Sequence, residues 1–349
     1  MNRLSRVLVL RIGPQHKEPW WWKHVQHDPV RCQLDYLSIP VKGGRLRSLA
    51  SWDFLVVCAR VAGLLRRTRQ THRYIFTFEC GWESFLVAFI QTLTGSSRPR
   101  HVILQFIMRE PIPNLRSRVK YAFMRWCFSS IHLAVCSAQR ECKYYHREFG
   151  WSGDKFRYVP LHSDPALLDV HVTEEPFFLS VGRTFRDYDT LLAAFSKLNV
   201  PLRVIASRAN IDTSRVPPNV EVEYDLPGPL MQELMARCLA VVIPLEVRAI
   251  SIGQSVLLQA MTLQKPVIVT QVAGTESYIE HMKSGIFVPP NSAEAIRDAV
   301  LLLLEKKELR RNLGLAAQER VKNLYLPQHY ADAVAKFLCD EVPGASVPN

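Results

Sequence analysis

Residues 241–290 restrict this chain's architecture more than any other stretch, because strands, glycine turns and a short helix follow one another with almost no filler. Val241-Val242-Ile243-Pro244-Leu245 reads as a buried strand. Ser251-Ile252-Gly253-Gln254-Ser255 reads as the turn opening a helix over Val256-Leu257-Leu258-Gln259-Ala260-Met261. Pro266-Val267-Ile268-Val269-Thr270 is a second strand, and Gly285-Ile286-Phe287-Val288-Pro289-Pro290 carries a second glycine turn. Such a run puts a helix N-terminus at the carboxyl end of a parallel strand, where free backbone N–H groups and the helix dipole favour a phosphate. The expected ligand class is a nucleotide.

Short apolar runs alternate with helical segments along the whole chain, which predicts an α/β architecture. In the first half the pattern predicts strands over 7–10, 74–78, 102–106, 133–137 and 156–160, with Gly13 in the turn after the first. Residues 161–176 have little periodicity and two prolines, and read as a linker. The second half repeats the pattern, with strands over 177–181, 202–206, 220–222 and 239–244. Helices are expected over 189–198, 230–238, 293–305, 309–323 and 328–341. The expected division is a domain over 1–165, a second over 166–327, and a final helix and tail over 328–349.

A length of 349 residues, 48% hydrophobic, suits two domains with a core each. No apolar run reaches the roughly 18–20 residues needed to span a bilayer. The best candidate, 54–65, contains Arg60 and is flanked by Asp53 and Arg66-Arg67, and reads as a buried or interfacial helix. The apolar stretch between Arg6 and Arg11 lacks a cleavage signal and reads as a first strand. Eight cysteines occur singly, never as a C-x-x-C pair, which suits free thiols in a reducing compartment and argues against a zinc site. A cytoplasmic protein able to sit at the inner membrane face is the expectation.

The net charge of +12 hides an asymmetry. Residues 1–165 hold 26 Lys+Arg against 11 Asp+Glu, and the remainder holds 18 against 21. The second of two basic clusters, Arg116-Arg118-Lys120-Arg125, is interleaved with Tyr121, Phe123, Trp126 and Phe128. On a helix this makes either a surface for anionic headgroups or a solvated face over ordinary packing. The acidic second half, and the lack of an RNA-recognition motif, argue against a nucleic-acid partner. Trp20-Trp21-Trp22 could stack a sugar, seat at a membrane interface or anchor a core.

The second half resembles a known family. Ser-x-Gly-Gln-x-x-Leu-Leu-Gln-Ala-Met, Lys-Pro-Val-Ile-Val-Thr, Val272-Ala273-Gly274 and Gly285-Ile-Phe-Val-Pro-Pro are similar to the C-terminal domain of retaining GT-B glycosyltransferases of family four. Phe178-Leu179-Ser180-Val181-Gly182-Arg183, with the segment from Arg186 to Phe195, resembles that domain's first strand, turn and helix. The resemblance covers about 177–325 and implies a GT-B fold, with two Rossmann-like α/β domains facing a central cleft. It implies a sugar moved from a nucleoside-diphosphate donor to an acceptor with retained anomeric configuration. No cofactor and no metal are implied, since the nucleotide sugar is itself a substrate. The basic first half suits a lipid-linked acceptor, as in surface polysaccharide or glycolipid assembly.

Arg183 follows a glycine directly after a buried strand, and its fork geometry suits a diphosphate, the group contacted by the corresponding family arginine. The family supplies a lysine some five residues later, whereas here the turn is shortened and Arg186 is the nearest cation. Asp187-Tyr188-Asp189 has the form of a metal-binding pair, but Asp189, directly before Thr190, is better placed as a helix N-cap. A helix starting near Gly253 would line Ser251, Ser255 and Gln259 along one polar stripe and turn Val256, Leu257, Ala260 and Leu263 to the core. The amides of Gly253, Gln254 and Ser255 would face a phosphate and Gln259 a ribose. Most family members carry glutamates where Ser251 and Gln259 stand. Gln259 keeps a carbonyl acceptor, and Glu246 could reach the place of the first. The two replacements leave open a catalytically degenerate GT-B subunit with a regulatory or binding role. In the first half, Gly13 and His16 lie in the turn where acceptor and donor phosphates meet in folds of this kind, and Glu79, Glu83 and Arg109-Glu110 stand at strand ends. A Glu or His there could deprotonate an acceptor, but no base is assigned, since the resemblance implies that the leaving diphosphate itself serves.

Overall fold

The computed structural model describes residues 5–12, 32–41, 52–151, 153–170 and 172–339. The chain divides into two compact units, one from the residues up to Val159 with those from Ala331 onward, the other from Pro160–Tyr330.

The first unit is built on a parallel sheet of six strands. In chain order its elements are β1 (Ser5–Ile12), β2 (Cys32–Ile39), α1 (Trp52–Thr68), β3 (Tyr74–Phe78), α2 (Trp82–Thr94), β4 (Arg100–Leu104), α3 (Leu115–Cys127), β5 (Leu133–Cys136), α4 (Gln139–Phe149) and β6 (Phe156–Tyr158). The strand order is β2-β1-β3-β4-β5-β6. All five residues of β3 and all four of β5 are buried, as expected of central strands covered on both faces. β2 was not anticipated from sequence. It is an edge strand whose apolar run is broken by Gln33 and Asp35, and Asp35 is held by Arg6 at 2.8 Å and His72 at 2.8 Å.

The second unit has its own six-stranded parallel sheet, ordered β12-β11-β10-β7-β8-β9. Its elements run β7 (Phe178–Val181), α5 (Tyr188–Phe195), β8 (Leu202–Ala206), β9 (Val220–Tyr224), α6 (Gly228–Arg237) and β10 (Ala240–Ile243). They continue through α7 (Gln254–Thr262), β11 (Val267–Thr270), β12 (Ile286–Val288), α8 (Ala293–Glu305) and α9 (Lys307–Leu324); α10 (Pro327–Cys339) starts in this unit, and its residues from Ala331 on belong to the first. Phe178, Phe195, Val204, Val242, Ile268 and Leu303 share one buried core between the sheet and its helices. Burying a Phe or Leu of this kind stabilises the fold by about 1.5–3 kcal/mol each.

Strand order has a direct consequence for function. From β7 the chain builds outward to β8 and β9, then returns to the other side of β7 for β10, β11 and β12. The carboxyl ends of β7 and β10 therefore flank a topological switch point, where diverging loops leave a crevice for a ligand.

Candidate active site

Two loops meet at this switch point: 182–187 after β7 and 244–253 after β10. They are stitched together by backbone bonds. Asp187 donates its N–H to the Pro244 carbonyl at 3.2 Å, Glu246 donates to the Phe185 carbonyl at 3.2 Å, and Arg186 forms an antiparallel bridge with Leu245. Phe185 takes a left-handed conformation, φ 54°, which swings the chain back so that Arg186 returns over the end of β7. The turn is thus short, as read from sequence.

Arg186 lies across Gly182. Its Nε donates to the Val181 carbonyl at 3.1 Å and its Nη1 to the Thr184 carbonyl at 3.1 Å. A methyl group on Gly182 would sit 2.7 Å from Nη2 and closer still to Nε, so the glycine is what admits the guanidinium. The Gly182 carbonyl is itself fixed by the Tyr188 hydroxyl at 2.8 Å and Asn210 Nδ2 at 3.1 Å. Burial lowers the Arg186 pKa, with Tyr188 acting the other way. The cation is therefore held by carbonyl dipoles rather than by a carboxylate, and it retains attraction for an incoming anion. Arg183, by contrast, is exposed and makes a loose ion pair with Asp225 at 3.4 Å. Solvent screening makes such a pair weak and readily exchanged.

The expected helix exists, but it begins at Gln254, with Gly253 as its N-cap in a left-handed conformation, φ 84°. This corrects the polar stripe. Ser251 precedes the helix and is buried, so only Ser255, which is exposed, and Gln259, which is half-buried, share the stripe. Val256, Leu257, Ala260 and Leu263 are buried as expected. The first intrahelical bond runs from Leu257 N–H to the Gly253 carbonyl at 3.0 Å, so the amides of Gln254, Ser255 and Val256 have no acceptor within the helix. Gln254 Nε2 is buried with no hydrogen-bond partner. A methyl on Gly274 would come within 2.8 Å of Ile252 N and 2.9 Å of Gln254 Nε2, so the loop after β11 presses directly on this helix start. That contact explains the glycine of Val272-Ala273-Gly274.

Gln259 donates to the Ser255 carbonyl at 3.2 Å and accepts from Gln232 Nε2 at 3.3 Å. Glu246 is engaged by Arg248, whose Nε lies 3.1 Å from Oε2 and whose guanidinium stacks 4.9 Å over Phe185. Arg248 was missed in sequence, although a cation two residues beyond a loop glutamate was a usable signal. The capping assignment moves by one turn position: Asp187, not Asp189, accepts from Thr190 N at 3.1 Å, while Asp189 faces Arg215 at 3.6 Å. Among the described residues no group of three or more His, Cys, Asp or Glu could hold a metal ion.

In the first unit Gly13, His16 and Trp20-Trp21-Trp22 lie outside the described residues. Glu83 is buried and paired with Arg11 at 3.3 Å, and Arg11 stacks 4.0 Å from the Phe78 ring. Burial raises the Glu83 carboxyl above its usual range, with its own backbone amide and Arg11 pulling it down. No helix among the described residues is long and apolar enough to cross a membrane.

Comparison with known proteins bears on this geometry. Residues 169–320 match a family model described as glycosyl transferases group 1. Curated protein sequences yielded no match. Among solved structures, the chain is similar to a sucrose-phosphate synthase from Thermosynechococcus elongatus at 13% identity and TM-score 0.69, covering 98% of this chain and 100% of that one. It is similar to a glycosyltransferase from Rickettsia africae at 13% identity and TM-score 0.70, covering 99% and 100%. HepE from Anabaena, in complex with UDP and glucose, matches at 13% identity and TM-score 0.68, covering 96% and 100%. Identities this low establish a shared fold only.

Proposed function

We propose that this chain, whose residues 169–320 match the glycosyl transferases group 1 family and whose fold is that of GT-B glycosyltransferases, moves a sugar from a nucleoside diphosphate to a lipid-linked acceptor. The single observation that carries the donor assignment is Arg186, a cation set against backbone carbonyls at the β7/β10 switch point. Arg183 and the free amides at the start of α7 belong to the same strand-end crevice. As the sugar leaves, negative charge grows on the diphosphate. Arg186 and Arg183 stabilise that charge with no metal required, and the amide N–H groups of α7 add the positive end of the helix dipole. Ser255 and Gln259 supply polar contacts for the nucleoside, and Glu246 with Arg248 lines the sugar side. Retention of anomeric configuration follows if the leaving diphosphate itself deprotonates the acceptor on the same face.

The acceptor assignment rests on the basic first half of the chain, 26 cations against 11 acids in residues 1–165, and places the reaction in glycolipid or surface polysaccharide synthesis at a membrane surface. A thermal-shift panel of UDP, GDP, ADP and CMP on the wild type and on Arg183→Ala tests the donor half, since a ligand specific for the folded state raises the melting temperature. One nucleoside diphosphate should shift the wild type by several degrees and Arg183→Ala by distinctly less. No shift with any of them would overturn the proposal.

A further inference from the structure

The helix α3 presents the wrong face to solvent for an ordinary surface helix. Its whole length from Leu115 to Cys127 has only Cys127 as a buried residue. Leu115 is 78% exposed, Val119 62%, Phe123 42% and Trp126 45%, and Ile112 just before the helix is 65% exposed. At about 100° per residue, Leu115, Val119, Ala122, Phe123 and Trp126 fall within about 100° of arc, a single ridge. The side packed on the protein is the opposite one. There Tyr121 meets Phe149 at 5.6 Å, and Thr92 Oγ1 donates to the Cys127 carbonyl at 2.8 Å. At the C-terminal end of the ridge Phe123 meets Phe85 and Phe89, each at 6.3 Å, and Trp126 meets Phe89 at 6.3 Å, so these two rings pack in part on α2 while remaining 42% and 45% exposed.

The charges complete the pattern. On the same wheel Arg116 and Lys120 flank the ridge on one side and Arg118 and Arg125 on the other, and all four are exposed. Residues 111–131 contain no Asp or Glu. A largely exposed apolar ridge bordered on both sides by cations, in a segment with no acidic residue of its own, is complementary to the boundary between anionic headgroups and acyl chains. We infer that α3 seats this protein on an anionic lipid surface, with Leu115, Val119, Phe123 and Trp126 entering the acyl boundary and the four cations lying at headgroup level. The inference rests on the reading of a lipid-linked acceptor under Proposed function, and names the element that brings the enzyme to it. The protein has no need of a spanning helix to stay there.

The test is co-sedimentation of the full chain with vesicles of phosphatidylglycerol and phosphatidylcholine, against phosphatidylcholine alone, without any acceptor. Binding should require the anionic lipid and weaken as salt is raised. Each cation near the surface is worth about a factor of five, so Arg116→Gln/Arg118→Gln/Lys120→Gln should weaken partition by roughly 100-fold. Leu115→Ser/Val119→Ser should weaken it by about tenfold or more through lost apolar burial. Both variants alter exposed side chains, so their melting temperatures and nucleotide-induced shifts should match the wild type. Equal binding by the wild type and both variants would overturn the inference. So would an absence of vesicle binding together with a concentration-dependent dimer lost in Leu115→Ser/Val119→Ser, which would assign the ridge to a second copy. Vesicle binding without nucleotide binding would instead remove the donor reading and leave α3 as the lipid-seating element.

Discussion

Replacing Gly182 by alanine should disable Arg186 without altering any charge. Gly182 does not use a left-handed conformation, so alanine is tolerated by the backbone and the added methyl is the whole perturbation. That methyl would lie 2.5 Å from Arg186 Cζ and 2.7 Å from Nη2, well inside contact distance. The guanidinium is the far end of a flexible side chain, so it will swing out into water rather than force the strand apart. Stability should fall by about 1–2 kcal/mol, at the low end for overpacking. The cost to binding is larger in proportion. A unit charge about 4 Å from a phosphate contributes up to about 4 kcal/mol at a surface-like effective dielectric, and the displaced cation retains part of this through solvent. A loss of about 2 kcal/mol is expected, or roughly 30-fold in Kd. Isothermal titration with the nucleoside diphosphate that stabilises the wild type measures it directly. Arg186→Ala should show a similar loss, and the double variant should be no worse than either single one, since both remove the same group. Wild-type affinity in Gly182→Ala, or penalties that simply add, would refute the reasoning.

Two further outcomes follow from other contacts. Gly274→Ala drives a methyl into the Ile252 backbone at 2.8 Å and Gln254 Nε2 at 2.9 Å, and backbone cannot swing aside as a side chain can. Differential scanning fluorimetry should show a loss of about 1–3 kcal/mol in stability, together with a smaller nucleotide-induced shift; an unchanged shift would separate the α7 start from the binding site. The second concerns pH. Burial holds the His101 imidazole down to about 3, against an ordinary 6.5, so the folded state keeps it neutral while the unfolded chain takes up a proton below 6.5. Its contribution to stability is complete above that value and is lost as pH falls toward 3, amounting to about 1.4 kcal/mol by pH 5.5. Urea titrations at pH 8 and pH 5.5 should show His101→Gln losing less stability between them than the wild type does; equal losses would show that His101 is not kept neutral.

Much of the second unit could be read from the chain because its central strands β7, β10 and β11 are fully buried. Runs such as Ala240–Ile243 and Val267–Thr270 are buried at every position, and their boundaries lie within one or two residues of expectation. The edge strand Cys32–Ile39 was opaque for the converse reason, since one side of its ladder is open and polar residues interrupt it. The site was legible as a list of residues but not as an arrangement. Nothing in the order Gly182-Arg183-Thr184-Phe185-Arg186 says that the second arginine folds back while the first stays out, because that depends on a positive φ at a phenylalanine. The start of α7 was legible to within a residue, with Gly253 as its N-cap, but the burial of Ser251, which takes it off the polar stripe, was not.

The two uncharged replacements, Ser251 and Gln259, take on a physical meaning once the loops are assembled. A carboxylate at either position would neutralise part of the field of Arg183 and Arg186 in return for strong bonds to sugar and ribose hydroxyls. On the proposed donor reading, neutral side chains there would leave the positive field of Arg183 and Arg186 undiminished for a diphosphate. Discrimination among sugars would then fall on Glu246, whose carboxylate is shared with Arg248. An amide such as Gln259 can donate as well as accept, so it holds a diol less selectively than a carboxylate, which only accepts. On the proposed donor reading, sugar selectivity would rest on how the Glu246–Arg248 pair opens. The pair is half-buried and can exchange its partner for a hydroxyl group without stranding a fully buried charge.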